Sequence, residues 1–143
     1  MKGGKYVIVH VDDSLLAREV VKEALTDAGF LVYSAIDAQD LEQRLMVKSD
    51  LRAVVDLFVL DMEMPDMTGA QVGAVMNAFY EELSRVPFII YSGKEKEWVE
   101  EMSREVAQVS EGFRANFRGY FGKGEGSTEK LVATIKRMLA EKK

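Results

Sequence analysis

Five short apolar runs recur along this chain, and each is followed by a segment whose apolar residues repeat at helical spacing. Runs this short and this uniformly apolar suit strands buried on both faces, and such strands alternating with helices form a parallel sheet. The predicted strands are Lys5 to Val11, Phe30 to Ser34, Leu57 to Leu60, Phe88 to Tyr91 and Gly119 to Phe121. The expectation is an α/β, doubly wound (βα)5 domain with helices on both faces of the sheet.

The helical stripes support this. Ser14 is the predicted N-cap of a first helix carrying Ala17, Val21, Ala24, Leu25 and Ala28 and closed by Gly29. The second helix carries Ala38, Leu41, Leu45 and Met46; the third carries Val72, Val75, Phe79 and Leu83. Trp98, Met102, Val109 and Phe113 share the face of one long, highly charged fourth helix, and a fifth begins after Ser127 with Leu131, Ile135, Met138 and Leu139. Lys136, Arg137, Lys142 and Lys143 suit the last turns of that helix, where cations favour the dipole.

With 143 residues the chain is read as a single domain, 1–143, large enough to bury a core without staples. It has no cysteine and one histidine, His10, which excludes thiolate and histidine-rich metal sites; His10 itself is read as a packed strand residue. A net charge of −5 argues against sequence-independent binding to nucleic acid or to an anionic membrane. No apolar stretch approaches the roughly 18 residues of a membrane span, and the N-terminus has no apolar signal core. The cytoplasm is the expected location.

Parallel strands joined by right-handed crossovers point their C-terminal ends one way, so Asp12, Asp13, Asp61, Ser92 and Lys123 are expected on one rim. Three carboxylates gathered there raise one another's proton affinity, a repulsion that a hard divalent cation relieves. Mg²⁺ suits a site of few carboxylates, water and a phosphoryl oxygen. Asp61 could then attack a phosphoryl group and form an acyl phosphate, with Mg²⁺, the Ser92 hydroxyl and the Lys123 ammonium each meeting a phosphoryl oxygen. Gly93 leaves room for the donor.

The ordered set Asp12 Asp13, Leu60 Asp61 Met62 Glu63 Met64 Pro65 Asp66 Met67 Thr68 Gly69, Tyr91 Ser92 Gly93 and Tyr120 Phe121 Gly122 Lys123 closely resembles the receiver domain of bacterial response regulators. That family is the CheY-like, phosphoryl-accepting half of two-component signalling, and the resemblance spans essentially the whole chain. It implies a flavodoxin-like three-layer sandwich with a five-stranded sheet of order 2-1-3-4-5, the order of a chemotaxis member of the family. By position, it implies phosphorylation of Asp61 and direct Mg²⁺ ligation by Asp13, Asp61 and the main-chain carbonyl of Glu63, with Asp12 acting through water. Ser92 and Lys123 would bind the phosphoryl group, and Ser92 with Tyr120 would form the switch. The implied partners are a sensor histidine kinase or histidine phosphotransfer protein and a downstream protein on the face of the fourth helix, fifth strand and fifth helix. Such a domain is not an enzyme in the usual sense. Glu63 and Lys94 are expected to be exposed, and the resemblance implies that these positions influence how long the phosphoryl group survives.

Two departures stand out. The family lysine is normally followed by proline, whereas Gly124 follows Lys123, so the loop Gly122 to Gly126 is expected to be permissive and Lys123 less firmly held. The interval from Ser92 to Lys123 is also longer than usual, by about ten residues. Asp66 is read as a turn residue after Pro65. A haloacid-dehalogenase-type phosphotransferase would need a second aspartate two positions beyond the nucleophile, where this chain has Glu63. The remaining alternative is a degenerate receiver that acts as a phosphorylation-independent interaction module. With no DNA-binding or catalytic segment in the sequence, the output is expected to pass through another protein.

Overall fold

The strands are β1 (Val7–Val11), β2 (Leu31–Ala35), β3 (Val55–Leu60), β4 (Phe88–Ser92) and β5 (Phe117–Gly122). In the computed structural model, which describes residues 1–141, they pair in parallel in the order β2-β1-β3-β4-β5. The helices are α1 (Leu15–Asp27), α2 (Ala38–Asp40, continuing into a π-helical stretch Leu41–Met46), α3 (Ser49–Arg52), α4 (Gly69–Phe79), α5 (Lys96–Val109), α6 (Glu111–Asn116) and α7 (Ser127–Glu141).

Alternate strand residues serve two cores. Val7, Val9, Val11, Phe58, Leu60, Phe88 and Ile90 pack with Leu41, Val72, Met76, Val99 and Phe113 of the helices on one face. Ile8, Leu57, Val59, Ile89 and Tyr91 pack with Val21 and Leu25 of α1 and with Leu131, Ile135 and Leu139 of α7 on the other. Both faces of the central strands are covered, which explains why those segments read as continuous apolar runs.

Strand ends differ from the sequence reading where the ladder is irregular. β3 begins at Val55 because Asp56 occupies a register shift against β1 and its carboxylate accepts the Val7 N–H at 2.8 Å. β5 begins at Phe117 because Gly119, at φ +126, absorbs a shift against β4. β1 starts only at Val7, since Lys5 closes a local bridge with Lys2, and β2 lies one residue later than expected.

Two helical expectations need correction. The third predicted stripe breaks at Tyr80, so Leu83 is buried from a separate 3₁₀ turn, Glu81–Leu83, and Phe79 is 77% exposed. Met76 and Asn77 face the core in its place. The long fourth helix is two helices: Ser110 ends α5 and caps α6, its hydroxyl accepting the Phe113 N–H at 3.0 Å. The turn leaves Val109 86% exposed while Phe113 is buried, so these two residues do not share a face. The extra α6 accounts for the long interval before Lys123. On α7, Lys136 and Arg137 are exposed and precede the last turn, whereas Lys142 and Lys143 lie outside the described residues.

Candidate functional site

The sheet ladder delivers the site. The Asp61 N–H bonds the Val11 carbonyl at 2.9 Å, extending the β1–β3 pairing by one step, so Asp12 and Asp61 leave neighbouring strands side by side. The Lys123 N–H bonds the Ser92 carbonyl at 2.9 Å and does the same for β4 and β5. Asp12, Asp13 and Asp61 bring carboxylate oxygens within 4.8 Å of one another. Lys123 Nζ sits 2.6 Å from Asp12 Oδ2 and 3.6 Å from Asp61 Oδ1. Ser92 is buried beside them, its hydroxyl accepting the Lys94 N–H at 3.2 Å.

Asp12 is held on all sides. Its Oδ1 accepts the Ser14 N–H at 2.9 Å, its main-chain carbonyl accepts Arg18 Nη1 at 2.8 Å, and its own N–H bonds the Ala35 carbonyl at 3.0 Å. Ser14 also caps α1 by accepting the Ala17 N–H at 3.2 Å, as expected from the sequence.

The segment after Asp61 is shaped by its small and turn-forming residues. Met67 N–H bonds the Pro65 carbonyl at 2.8 Å across Asp66, whose φ of +71 makes a tight γ-turn. Gly69 opens α4 against the Asp61 main chain, where a Cβ would lie 2.3 Å from the Asp61 carbonyl oxygen. Met62 and Met64 are buried, while Glu63 is exposed and ion-paired with Lys94. The Glu63 carboxylate is therefore engaged by Lys94 and is not gathered with Asp12, Asp13 and Asp61.

Burial, then the neighbouring charge of Asp12, pushes the Asp61 pKa up to about 6, although Lys123 and the Ser92 hydroxyl pull it down. Burial also acts to raise Asp12, but the Lys123 ammonium and the Ser14 N–H outweigh it and hold Asp12 at about 2. The site thus contains one firmly ionised carboxylate and one that gains from an added cation.

Lys123 is tied at both ends, through its ladder bond and its ammonium. The following turn is closed by Gly124 N–H to Ser127 Oγ at 3.0 Å and Ser127 N–H to the Gly124 carbonyl at 3.1 Å. Gly124 therefore does not leave Lys123 untethered. Tyr120 is half-buried, and its hydroxyl donates to the Lys94 carbonyl at 2.8 Å. It borders a groove of about 430 Å³ between α5 and β5, lined also by Val99, Ser103, Ala107, Phe113 and Phe117.

The family model of the response regulator receiver domain matches residues 8–136. The chain belongs to the response regulator receiver family. Similar solved receivers include the chemotaxis protein CheY4 of Vibrio cholerae, 22% identical, covering 94% of this chain and 98% of that one at a TM-score of 0.72. A two-component response regulator from Clostridium difficile is 14% identical, with 95% and 97% covered at a TM-score of 0.73. The response regulator TrrA of Thermotoga maritima, solved with Mg²⁺ and beryllium fluoride, is 20% identical, with 92% and 97% covered at a TM-score of 0.69. At these identities the likeness shows the receiver fold. No match is found among curated protein sequences. Among the described residues no helix is long and apolar enough to cross a membrane.

One contact of the receiver site was not anticipated. His10 Nε2 lies 3.7 Å from Asp12 Oδ2, beneath the rim. Two-residue spacing on a strand puts positions 10 and 12 on the same side, and that was the available signal.

Proposed function

We propose that residues 1–143 form one receiver domain that accepts a phosphoryl group on Asp61 from a phosphohistidine protein and relays the change to a downstream protein in the cytoplasm. The observation that carries this reading is the convergence of Asp12, Asp13 and Lys123 on a buried Asp61 whose carboxylate favours an added cation. The acidic set of hard oxygen donors fits Mg²⁺, which Asp13, Asp61 and the Glu63 carbonyl would hold, with Asp12 acting through water. Bound there, Mg²⁺ supplies charge neutralisation to Asp61 and to the incoming phosphoryl oxygens.

An ionised Asp61 oxygen attacks phosphorus, the new P–O bond forms as the donor's P–N bond breaks, and the bonding pair returns to the donor imidazole. Lys123 and the Ser92 hydroxyl then meet phosphoryl oxygens, and Asp12 stays ionised throughout. Leu15, Leu16 and Val20 of α1 and Ile36 after β2 are exposed apolar residues, supporting this side of the molecule as the bed for the donor protein. Movement of Ser92 toward the phosphoryl group frees Tyr120 to turn, and the neighbouring groove gives its ring somewhere to go. The output surface in this reading comprises α5, β5 and α7.

Mass spectrometry after treatment with acetyl phosphate and Mg²⁺ tests the assignment. One added phosphoryl group is expected on the parent protein and none on Asp61→Asn. An unmodified parent would instead support the degenerate receiver acting as a phosphorylation-independent interaction module, and modification of Asp61→Asn would remove Asp61 from its role.

A further inference from the structure

Every other residue of β1 is aliphatic, yet the strand carries an imidazole that is wholly buried on the α1 and α7 face. Neither nitrogen of His10 has a hydrogen-bond partner among the described residues. Ser34, its register partner on β2, presents an equally buried and unpartnered Oγ. A polar ring left unsatisfied in a core is a standing cost that a valine would not incur. That cost is explained if the ring gains its partner in another state of the protein.

The candidate partner is close. Asp12 Oδ1 is occupied by the Ser14 N–H, and Oδ2 has Lys123 as its sole hydrogen-bond donor among the described residues, at 2.6 Å. Lys123 also stands 3.6 Å from Asp61 Oδ1, so a phosphoryl group arriving on Asp61 draws the ammonium away from Asp12. A wholly buried carboxylate oxygen would then lose its only protein donor. His10 Nε2, 3.7 Å from that same oxygen, is too distant for a hydrogen bond now and needs a shift of less than 1 Å to make one.

We propose that His10 is a positioning residue for Asp12, its Nε2–H replacing Lys123 on Oδ2 when the lysine moves to the phosphoryl group. This rests on the receiver reading given above. The neutral ring suffices, because it carries one N–H. Lys123 can then leave Asp12 without stranding a buried charge. The same lysine thus has two alternative places, and His10 makes the second one accessible.

His10 is the only histidine in the 143-residue chain, so its imidazole ¹H–¹⁵N spectra contain one ring system. In Lys123→Ala, without metal or phosphodonor, the Nε2–H proton is expected to move downfield and to exchange more slowly with water than in the parent. The same shift is expected in the parent on adding Mg²⁺ and beryllium fluoride. His10→Val should weaken beryllium fluoride binding about tenfold while leaving the unliganded thermal midpoint at or above that of the parent. His10→Gln, which retains an amide donor, should recover most of the affinity. An unshifted imidazole in Lys123→Ala would overturn the proposal, as would unchanged beryllium fluoride affinity in His10→Val. A parent protein that binds no beryllium fluoride would defeat the receiver reading instead, while the Lys123→Ala spectrum would still decide the His10 contact.

Discussion

Asp12 and Asp61 are neighbouring carboxylates whose proton affinities have been driven apart. Asp12 is held at about 2 and Asp61 at about 6, against an ordinary value of 3.8. A raised folded-state pKa favours the protonated form, so this contribution to stability is full below pH 3.8 and is lost as pH rises through about 6. The loss from Asp61 amounts to at most about 3 kcal/mol. In metal-free solution at pH 7.5, Asp61→Asn is therefore expected to melt above the parent, whereas at pH 4 the two should nearly coincide. Thermal unfolding at both pH values checks this, and an equal gap at the two would mean that Asp61 ionisation is not its source. Both aspartates stood out in the sequence because each directly follows an apolar run. The sequence did not reveal which of them Lys123 would grip.

At the level of elements, the informative departures are breaks in helical periodicity. A stripe containing Trp98, Met102, Val109 and Phe113 reads as one helix, because a stripe records spacing and a cap is a local hydrogen bond between residues three apart. Ser110 makes such a bond to Phe113, ends α5 and swings Val109 into solvent. Ser110→Ala should cost about 1 kcal/mol. Amide hydrogen exchange should quicken in Glu111–Asn116 with little change in α7; uniform protection across both would show that packing alone holds α6. Phe79 has the same lesson. Its place in the stripe with Val72 and Val75 is correct by count, but the core on that side is filled by Met76 and by Leu83 from the next turn. Gly73 lies close enough to Phe88 that an added Cβ would approach the ring to 2.5 Å, which fixes how α4 settles on β4.

For the whole molecule, a ligand that binds the folded state alone raises stability by mass action. Mg²⁺ at a hundredfold excess over its dissociation constant should add about 2.7 kcal/mol, raising the melting temperature by on the order of 8 °C in a domain of this size. At pH 5 the rise should be smaller, because below about 6 a proton competes for Asp61. Melting curves with Mg²⁺ and with EDTA at pH 7.5 and pH 5 would show it, and a rise that ignores pH would place the metal away from Asp61.

The alternation of buried runs with helical stripes determined the parallel sheet and the rim to which its strands carry Asp12, Asp13, Asp61, Ser92 and Lys123, because periodicity and strand direction are local properties. The order β2-β1-β3-β4-β5 was legible through family resemblance. Tertiary structure alone decided that Lys123 reaches Asp12 across 111 positions, that Asp56 ties down the start of β1, and that His10 lies just beyond hydrogen-bonding range of Asp12. Those outcomes depend on differences of about an ångström between distant segments, and spacing along a chain carries no such distances.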